Sequence, residues 1–211
     1  MCIRDRLHQG MIESSLIKKS YFSSKEDGTN LNNIVKDVSL TERKSLYVAQ
    51  MKQTHSNQIK QVDVEGTYFS DAIITSKKNI SLVVKTADCM PVLIETDKCI
   101  GALHIGWRGL QNNIFELSIQ KLIGKNIRVS IGPHAKSCCY EVQKDVAKIF
   151  PDVTDNKKGK LYLNLSNQLS QYCQLNKIDL EVSDICTICN NEFWSYRENK
   201  TPERQYSLIW R

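Results

Sequence analysis

Apolar patterning is densest between Asp71 and Leu110, DAIITSKKNISLVVKTADCMPVLIETDKCIGALHIGWRGL. Ser81–Lys85 and Pro91–Thr96 are short β-branched runs, the pattern of strands covered by neighbouring layers. Cys99–His104 reads as a third strand. Thr96-Asp97-Lys98 offers a tight turn, so the second and third runs are predicted to pair as an antiparallel hairpin. With the turn centred between Asp97 and Lys98, Pro91 stands opposite His104. Cys89 then occupies the diagonal position, where Cβ atoms fall within about 7–8 Å. A thiol and an imidazole converge at one end of a hairpin.

The flanking pattern alternates strands with helices. Leu16–Ser24 reads as a first strand, Lys25–Asn33 as a polar loop, and Thr41–Met51 as a helix start behind the Ser39-Leu40-Thr41-Glu42 cap signal. Tyr47–His55 fits strand or helix and leaves His55 at its end. Ile59–Val64 is a short strand and Glu65–Ser70 a connector. Asn112–Leu122 is an amphipathic helix whose N–H groups would face an anion near GWRG. Ile127–Ile131 is a strand, Gly132–Val142 a loop, Lys144–Phe150 a helix, Pro151–Lys160 a charged loop and Leu161–Leu175 helical. Glu181–Thr187, Phe193–Arg197 and Tyr206–Trp210 read as strands. This order predicts an α/β fold, a single-domain layered α/β sandwich with mixed β-sheets. Met1–Gly10 has no periodicity, so residues 1–14 read as a leader or appended segment before a catalytic domain at 15–211, with Met11 a plausible start. Cys2 and His8 receive no role.

Composition narrows the class. At 211 residues the chain can bury a full core, and 41% hydrophobic with 25% charged residues is ordinary for a globular domain. No apolar run approaches the roughly 20 residues that cross a bilayer, and no secretory pattern is evident. The expected location is the cytoplasm, without a membrane partner. The net charge of +6 is scattered; that suits small anions and gives no basic stripe for nucleic acid. The eight cysteines are expected to be reduced. Cys186-Thr-Ile-Cys189 is a lone CxxC, read as half-buried thiols beside a strand rather than a zinc knuckle or redox pair.

Cys89 and His104 admit three readings: a nucleophile with its base, two ligands of a zinc ion with an open position, or a packed core cysteine and a satisfied histidine. Their convergence, the Asp88 carboxylate beside Cys89, and Trp107-Arg108 in a Gly-flanked turn favour chemistry. His55 would complete a His2Cys set, though spacing alone does not bring it there. Arg108 suits phosphate or carboxylate through its fork of donors; the alternative is a surface ion pair. Arg197 and Arg204, among Trp194, Tyr196 and Tyr206, suit the rim of a heterocycle site, or equally a solvated edge. His134 reads as a loop residue.

QTHS, TADCMPVLIE, HIGWRG, IGPHAKSCCYEV and SYRENKTPERQYSLI, in that order, resemble the signatures of the YfiH-like family, also called the polyphenol-oxidase or laccase-domain family. The resemblance spans roughly Ser15 to the C-terminus, and several motifs in order make it specific. It implies a zinc (or copper) site on His55, Cys89 and His104. The implied activities are phosphorolysis of adenosine, inosine and methylthioadenosine, and adenosine deamination; the partners are a nucleoside and phosphate, in a monomer or homodimer. Arg108 carries over from GWRG, and Arg43 from a basic position after the N-terminal loop, with Glu42 replacing asparagine. Two segments depart from the family: the early Ser-Thr-Arg-x-Gly-Gly loop is here Phe22–Gly28 without the arginine, and the closing Thr-Gly-Arg is Thr201-Pro202-Glu203-Arg204. Both touch the implied substrate rim.

In that setting zinc lowers the pKa of water towards about 7, suited to attack on C6 of adenine, with Asp88 a candidate proton shuttle. Phosphorolysis instead asks for a phosphate aimed at ribose C1′ by Arg108 and the following helix. The rivals are a copper-dependent polyphenol oxidase, a Cys–His hydrolase with Cys89 as nucleophile, and a binding module with a vestigial site. Three ligands are too few for the several copper centres of four-electron oxygen reduction.

Overall fold

The computed structural model describes residues 12–211. In chain order its strands are β1 (Ser20–Phe22), β2 (Tyr47–Lys52), β3 (Ile59–Gln61), β4 (Gly66–Phe69), β5 (Ala72–Thr75), β6 (Ile80–Thr86), β7 (Met90–Glu95), β8 (Ile100–Ile105), β9 (Arg128–Ile131), β10 (Glu141–Val142), β11 (Thr154–Lys157), β12 (Lys160–Leu163), β13 (Asp179–Val182) and β14 (Gln205–Trp210). The helices are α1 (Leu31–Glu42), α2 (Trp107–Gln111), α3 (Ile114–Lys121), α4 (Lys144–Ile149), α5 (Leu165–Leu175) and α6 (Tyr196–Asn199).

Two mixed sheets form the centre, in the orders β1-β14-β6-β2-β4 and β13-β9-β7-β8-β5-β3. Period-2 alternation decides the layering. Leu82 and Val84 of β6 meet Leu93 of β7 and Ala102 of β8 between the sheets. Val83 points the other way, onto Ile34, Val35 and Val38 of α1. Val92, Ile94, Leu103 and Ile105 face Ile114 and Phe115 of α3 and Leu165 and Leu169 of α5. The result is the expected α/β sandwich, with helices outside both sheets. The β7–β8 hairpin has the predicted register, Pro91 opposite His104. Among the described residues no helix is long and apolar enough to cross a membrane.

Several elements differ from the expectation. The helix placed at Thr41–Met51 instead ends there: Asn30 caps α1, its side chain accepting from the Asn32 N–H at 3.0 Å. The asparagines that suggested a loop are its first turn, and Arg43 closes it in the left-handed conformation (φ 51°). Tyr47–Lys52 is strand, and Gly66–Phe69, read as a connector, pairs parallel with it. Asn113 at φ 55° breaks the helix expected over Asn112–Leu122, so GWRG opens the separate α2. The loop expected at Pro151–Lys160 is largely a hairpin, because Lys158 and Gly159, both at positive φ (53° and 82°), make the turn. The strand expected at Glu181–Thr187 lies earlier, at Asp179–Val182. Phe193–Arg197 is not a strand: the Ser195 hydroxyl accepts from the Glu198 N–H at 3.2 Å and caps α6.

The leader reading falls mainly on residues 1–11, outside the described residues. Beyond them, Ile12 bridges Phe22 and the Ser14 and Ser15 hydroxyls donate to Glu181.

Candidate active site and metal centre

The β6–β7 loop, the end of β8 and the loop after β2 meet at one edge of the sandwich. Asp88 turns the first loop at φ 90°, a conformation non-glycine residues adopt only when their surroundings impose it. The surroundings are visible. Its carbonyl accepts from the Ala135 N–H at 2.8 Å, Oδ1 from the Thr187 hydroxyl at 2.9 Å and Oδ2 from the Arg197 N–H at 2.7 Å. The turn delivers Cys89, half-buried, to the floor of a cavity of about 770 Å³. His104 reaches the same floor from β8, as the hairpin register requires. His55, at φ 61°, arrives from the loop after β2. Cys89 Sγ is 3.8 Å from His55 Nε2, the two imidazoles meet edge-on at 4.7 Å between centroids, and ligand atoms of all three residues lie within 4.8 Å of one another.

Asp71, which the sequence reading passed over, holds this arrangement. It is fully buried, at 0% exposure. Its Oδ1 accepts from His104 Nδ1 at 2.8 Å and from the His55 N–H at 3.0 Å; its Oδ2 accepts from the Ser56 N–H and hydroxyl, both at 2.7 Å, and from the Thr54 N–H at 3.1 Å. One carboxylate therefore folds the Thr54-His55-Ser56 loop and holds a proton on His104 Nδ1, leaving Nε2 as the nitrogen not engaged by Asp71. Burial opposes its charge, but these donors hold its carboxyl well below the usual carboxylate range. The only sequence signal was a carboxylate opening the apolar run AIIT.

Electrostatics ties Cys89 to His104. Burial disfavours both charges, yet the imidazolium and thiolate stabilise each other. Cys89 is drawn down to about 6 and His104, also bonded to Asp71, is raised to about 9. A thiolate, two imidazoles and a carboxylate behind one of them form a metal-ligand set with its outer support. In a tetrahedral zinc site the sulfur–nitrogen edge is about 3.6 Å, close to the observed 3.8 Å. The residues fit a single ion and leave a fourth position towards the cavity.

Lys52, Lys85, Arg108, Arg197 and Arg204 also line the cavity, with Trp107, Tyr140 and Tyr196. The Arg108 guanidinium lies 4.3 Å over the Trp107 ring and, among the described residues, has no hydrogen-bond partner. Arg197 Nη1 donates to the Glu141 carbonyl at 2.9 Å and its guanidinium stacks 5.0 Å from Tyr140. Arg204 Nη1 donates to the Thr201 and Glu203 carbonyls at 2.9 and 2.7 Å. Of the aromatic rim expected from Trp194, Tyr196 and Tyr206, only Tyr196 lines the cavity. The Trp194 backbone N–H donates to Gln205 Oε1, and the Tyr206 hydroxyl donates to the Thr29 carbonyl. Arg43 is exposed at the end of α1 and is not among the lining residues. The helix beside the site is α2 rather than the longer α3. His134 lies in its predicted loop but is completely buried.

The chain as a whole is similar to known proteins. Residues 23–211 match the family described as multi-copper polyphenol oxidoreductase laccase. A protein of Aquifex aeolicus named purine nucleoside phosphorylase is 32% identical over 183 residues, 84% of this chain and 88% of its own. One of the same designation from Clostridium acetobutylicum is 32% identical over 214 residues, 90% of each chain. The crystal structure of the hypothetical protein YfiH of Bacillus licheniformis superposes with a TM-score of 0.82 at 25% identity, covering 97% of this chain and 98% of that one. That of Neisseria meningitidis protein NMB0706, at 21% identity and TM-score 0.78, shares the fold. The family match runs from residue 23, just after β1, to the C-terminus, and the chain belongs to this laccase-domain, YfiH-type family.

Proposed function

We propose that this protein is a zinc-dependent purine nucleoside phosphorylase, acting on adenosine, inosine or methylthioadenosine, with adenosine deamination as a second activity of the same site. One observation carries the reading: a His55–Cys89–His104 ligand set, braced by Asp71, forms the floor of a cavity whose charged rim is mostly cationic. The relatives named purine nucleoside phosphorylase support the substrate class.

The division of labour follows from charge and shape. Phosphorolysis breaks the C1′–N9 bond of the nucleoside and forms a C1′–O bond to phosphate, releasing the purine. The phosphate dianion needs desolvation and orientation, which the Arg108 fork supplies with Lys52 and Lys85 nearby. The faces of Tyr140, Tyr196 and Trp107 offer stacking surfaces for the base. When zinc is bound, His55, Cys89 and His104 hold it, and it supplies Lewis acidity at the open position. Asp71 keeps His104 in the ligating tautomer. Both Asp88 oxygens already take protein donors, which makes Asp88 the residue that positions Cys89 and Arg197 rather than the expected proton shuttle.

The laccase description favours a copper reading, but the chain has four histidines in all, and one three-residue ligand set at the cavity does not make several copper centres. The deciding assay separates products from adenosine with and without phosphate. Adenine and ribose 1-phosphate, formed only with phosphate, support the proposal. Inosine formed without phosphate is the expected second activity; inosine with no phosphate-dependent adenine assigns deamination alone, and no turnover of any purine nucleoside sinks the reading. Cys89→Ala is expected to lose both activities; retained activity excludes the shared metal site. Arg108→Ala is expected to raise KM for phosphate about 10-fold or more, the worth of hydrogen bonds to a charged group, with little change in KM for nucleoside.

A further inference from the structure

A second ligand cluster lies behind the cavity. The loop between β9 and β10 carries Cys138 and Cys139, and the segment after β13 carries Cys186 and Cys189. Their four sulfurs lie within 4.8 Å of one another, with Cys138 Sγ 3.9 Å from Cys189 Sγ. The CxxC is therefore not alone: its second pair is an adjacent Cys-Cys, a spacing that no CxxC pattern predicts. The two segments are held together by backbone bonds, Thr187 N–H to the His134 carbonyl at 3.2 Å and His134 N–H to the Ile185 carbonyl at 3.4 Å.

Geometry distinguishes the occupants. Four thiolates around one zinc ion, each at about 2.3 Å, define a tetrahedron with sulfur–sulfur edges of about 3.8 Å. The Cys138–Cys189 separation of 3.9 Å matches that edge, and all four sulfurs fall within 4.8 Å, close enough to converge on one ion. The thiolates of an iron–sulfur cluster stand farther apart, because the cluster's own iron and sulfide lie between them. The backbone supplies an independent observation. Cys186 Sγ accepts from the Lys136 N–H at 3.5 Å. A backbone amide turned onto the first sulfur of a CxxC suits a thiolate, the form that binds metal. Lys136 adjoins the cluster, and Lys157 Nζ donates to the Ser137 carbonyl at 2.9 Å, so positive charge stands beside a site that would carry excess negative charge.

We propose that Cys138, Cys139, Cys186 and Cys189 form a closed tetrathiolate site for one structural zinc ion, separate from the cavity. Four protein ligands leave no open position, so its role is architectural. It clips the loop before β10 to the segment before α6. Thr187 lies between two of the ligands and donates to Asp88, while Ala135 donates to the Asp88 carbonyl. The clip thus backs the strained turn that presents Cys89. This site is independent of the nucleoside reading and stands or falls separately from it.

The test is metal content of full-length protein purified from zinc-supplemented cells under reducing conditions. Wild type is expected to hold about two zinc ions per chain, and Cys89→Ala about one. Cobalt loaded into Cys89→Ala should give the intense thiolate charge-transfer and tetrahedral ligand-field bands of a four-sulfur site. Cys186→Ser/Cys189→Ser should lose those bands in the Cys89→Ala background. Should that variant not fold, the zinc count and cobalt spectrum of Cys89→Ala decide alone. A Cys89→Ala protein without zinc, cobalt bands lacking thiolate charge transfer, or a disulfide between these cysteines in protein handled anaerobically overturns the proposal.

Discussion

Asp71 shows how much of a site can hang on one side chain. It accepts from the backbone of three consecutive residues and from His104, so both histidine ligands depend on it. Asp71→Asn keeps the shape but removes the charge and turns an amide against donors. We expect zinc affinity at the cavity to fall about 10–100-fold, the usual cost of an altered partner behind a ligand. Stability should fall by about 3 kcal/mol, as when one member of a buried pair is lost. Zinc-binding titration and urea denaturation measure the two, and an unchanged zinc affinity would remove Asp71 from the role given to it. Because its folded carboxyl is held below its unfolded value, the stabilisation is complete above the ordinary carboxylate range and is lost as pH falls below about 4. Cys89 and His104 were legible in the sequence because a hairpin register is local. Asp71 was not, because its partners lie on two other segments, the Thr54–Ser56 loop and β8, distant from it in the chain.

Among elements, the buried strands were readable and the polar ones were not. Ser81–Lys85, Pro91–Thr96 and Cys99–His104 announce themselves because β-branched runs covered on both faces leave little else to be. Helix α1 was missed because its buried stripe is only Ile34, Val35 and Val38, behind asparagines that read as loop. The β11–β12 hairpin was missed because β11 is polar and mostly exposed, and because Leu161–Leu163 of β12 reads as the first turn of the helix expected over Leu161–Leu175, which begins only at Leu165. The junction of β8 and α2 offers a sharper test. A Cβ on Gly106 would stand 3.0 Å from Cys89 Sγ and 3.3 Å from His55 Cδ2. Gly106→Ala is expected to cost about 1–3 kcal/mol, typical of overpacking, and to lower zinc occupancy at the cavity while the tetrathiolate site stays filled. Metal analysis of this variant in a cysteine-intact background separates the two sites; equal loss from both would contradict the assignment.

At the scale of the whole molecule, the loop after β9 is bonded to the segment after β13 through His134 and Thr187. His134 is buried at their junction, its Nδ1 donating to the Gly132 carbonyl at 2.8 Å and its Nε2 without a partner. Burial, with nearby Lys136, holds its pKa down to about 4 against the Gly132 carbonyl, which favours the protonated ring. The unfolded chain then takes up this proton first. Stability is full above about pH 6.5 and falls as pH drops towards 4, by about 3 kcal/mol in the limit. Denaturation across this range should show the loss in wild type and a smaller slope in His134→Gln; equal slopes would assign the acid sensitivity elsewhere.

The sequence by itself determined the α/β class, the central hairpin and its register, the convergence of Cys89 with His104, and the family motifs. Each rests on periodicity or spacing along the chain. Tertiary structure brought His55 to them, which the family resemblance implied and spacing could not place; it alone decided that Asp71 braces them, that Arg43 stays away from the cavity, and that Cys138 and Cys139 meet Cys186 and Cys189. Those contacts are made between segments far apart in the chain, and only packing of the two sheets and their loops brings them within bonding distance.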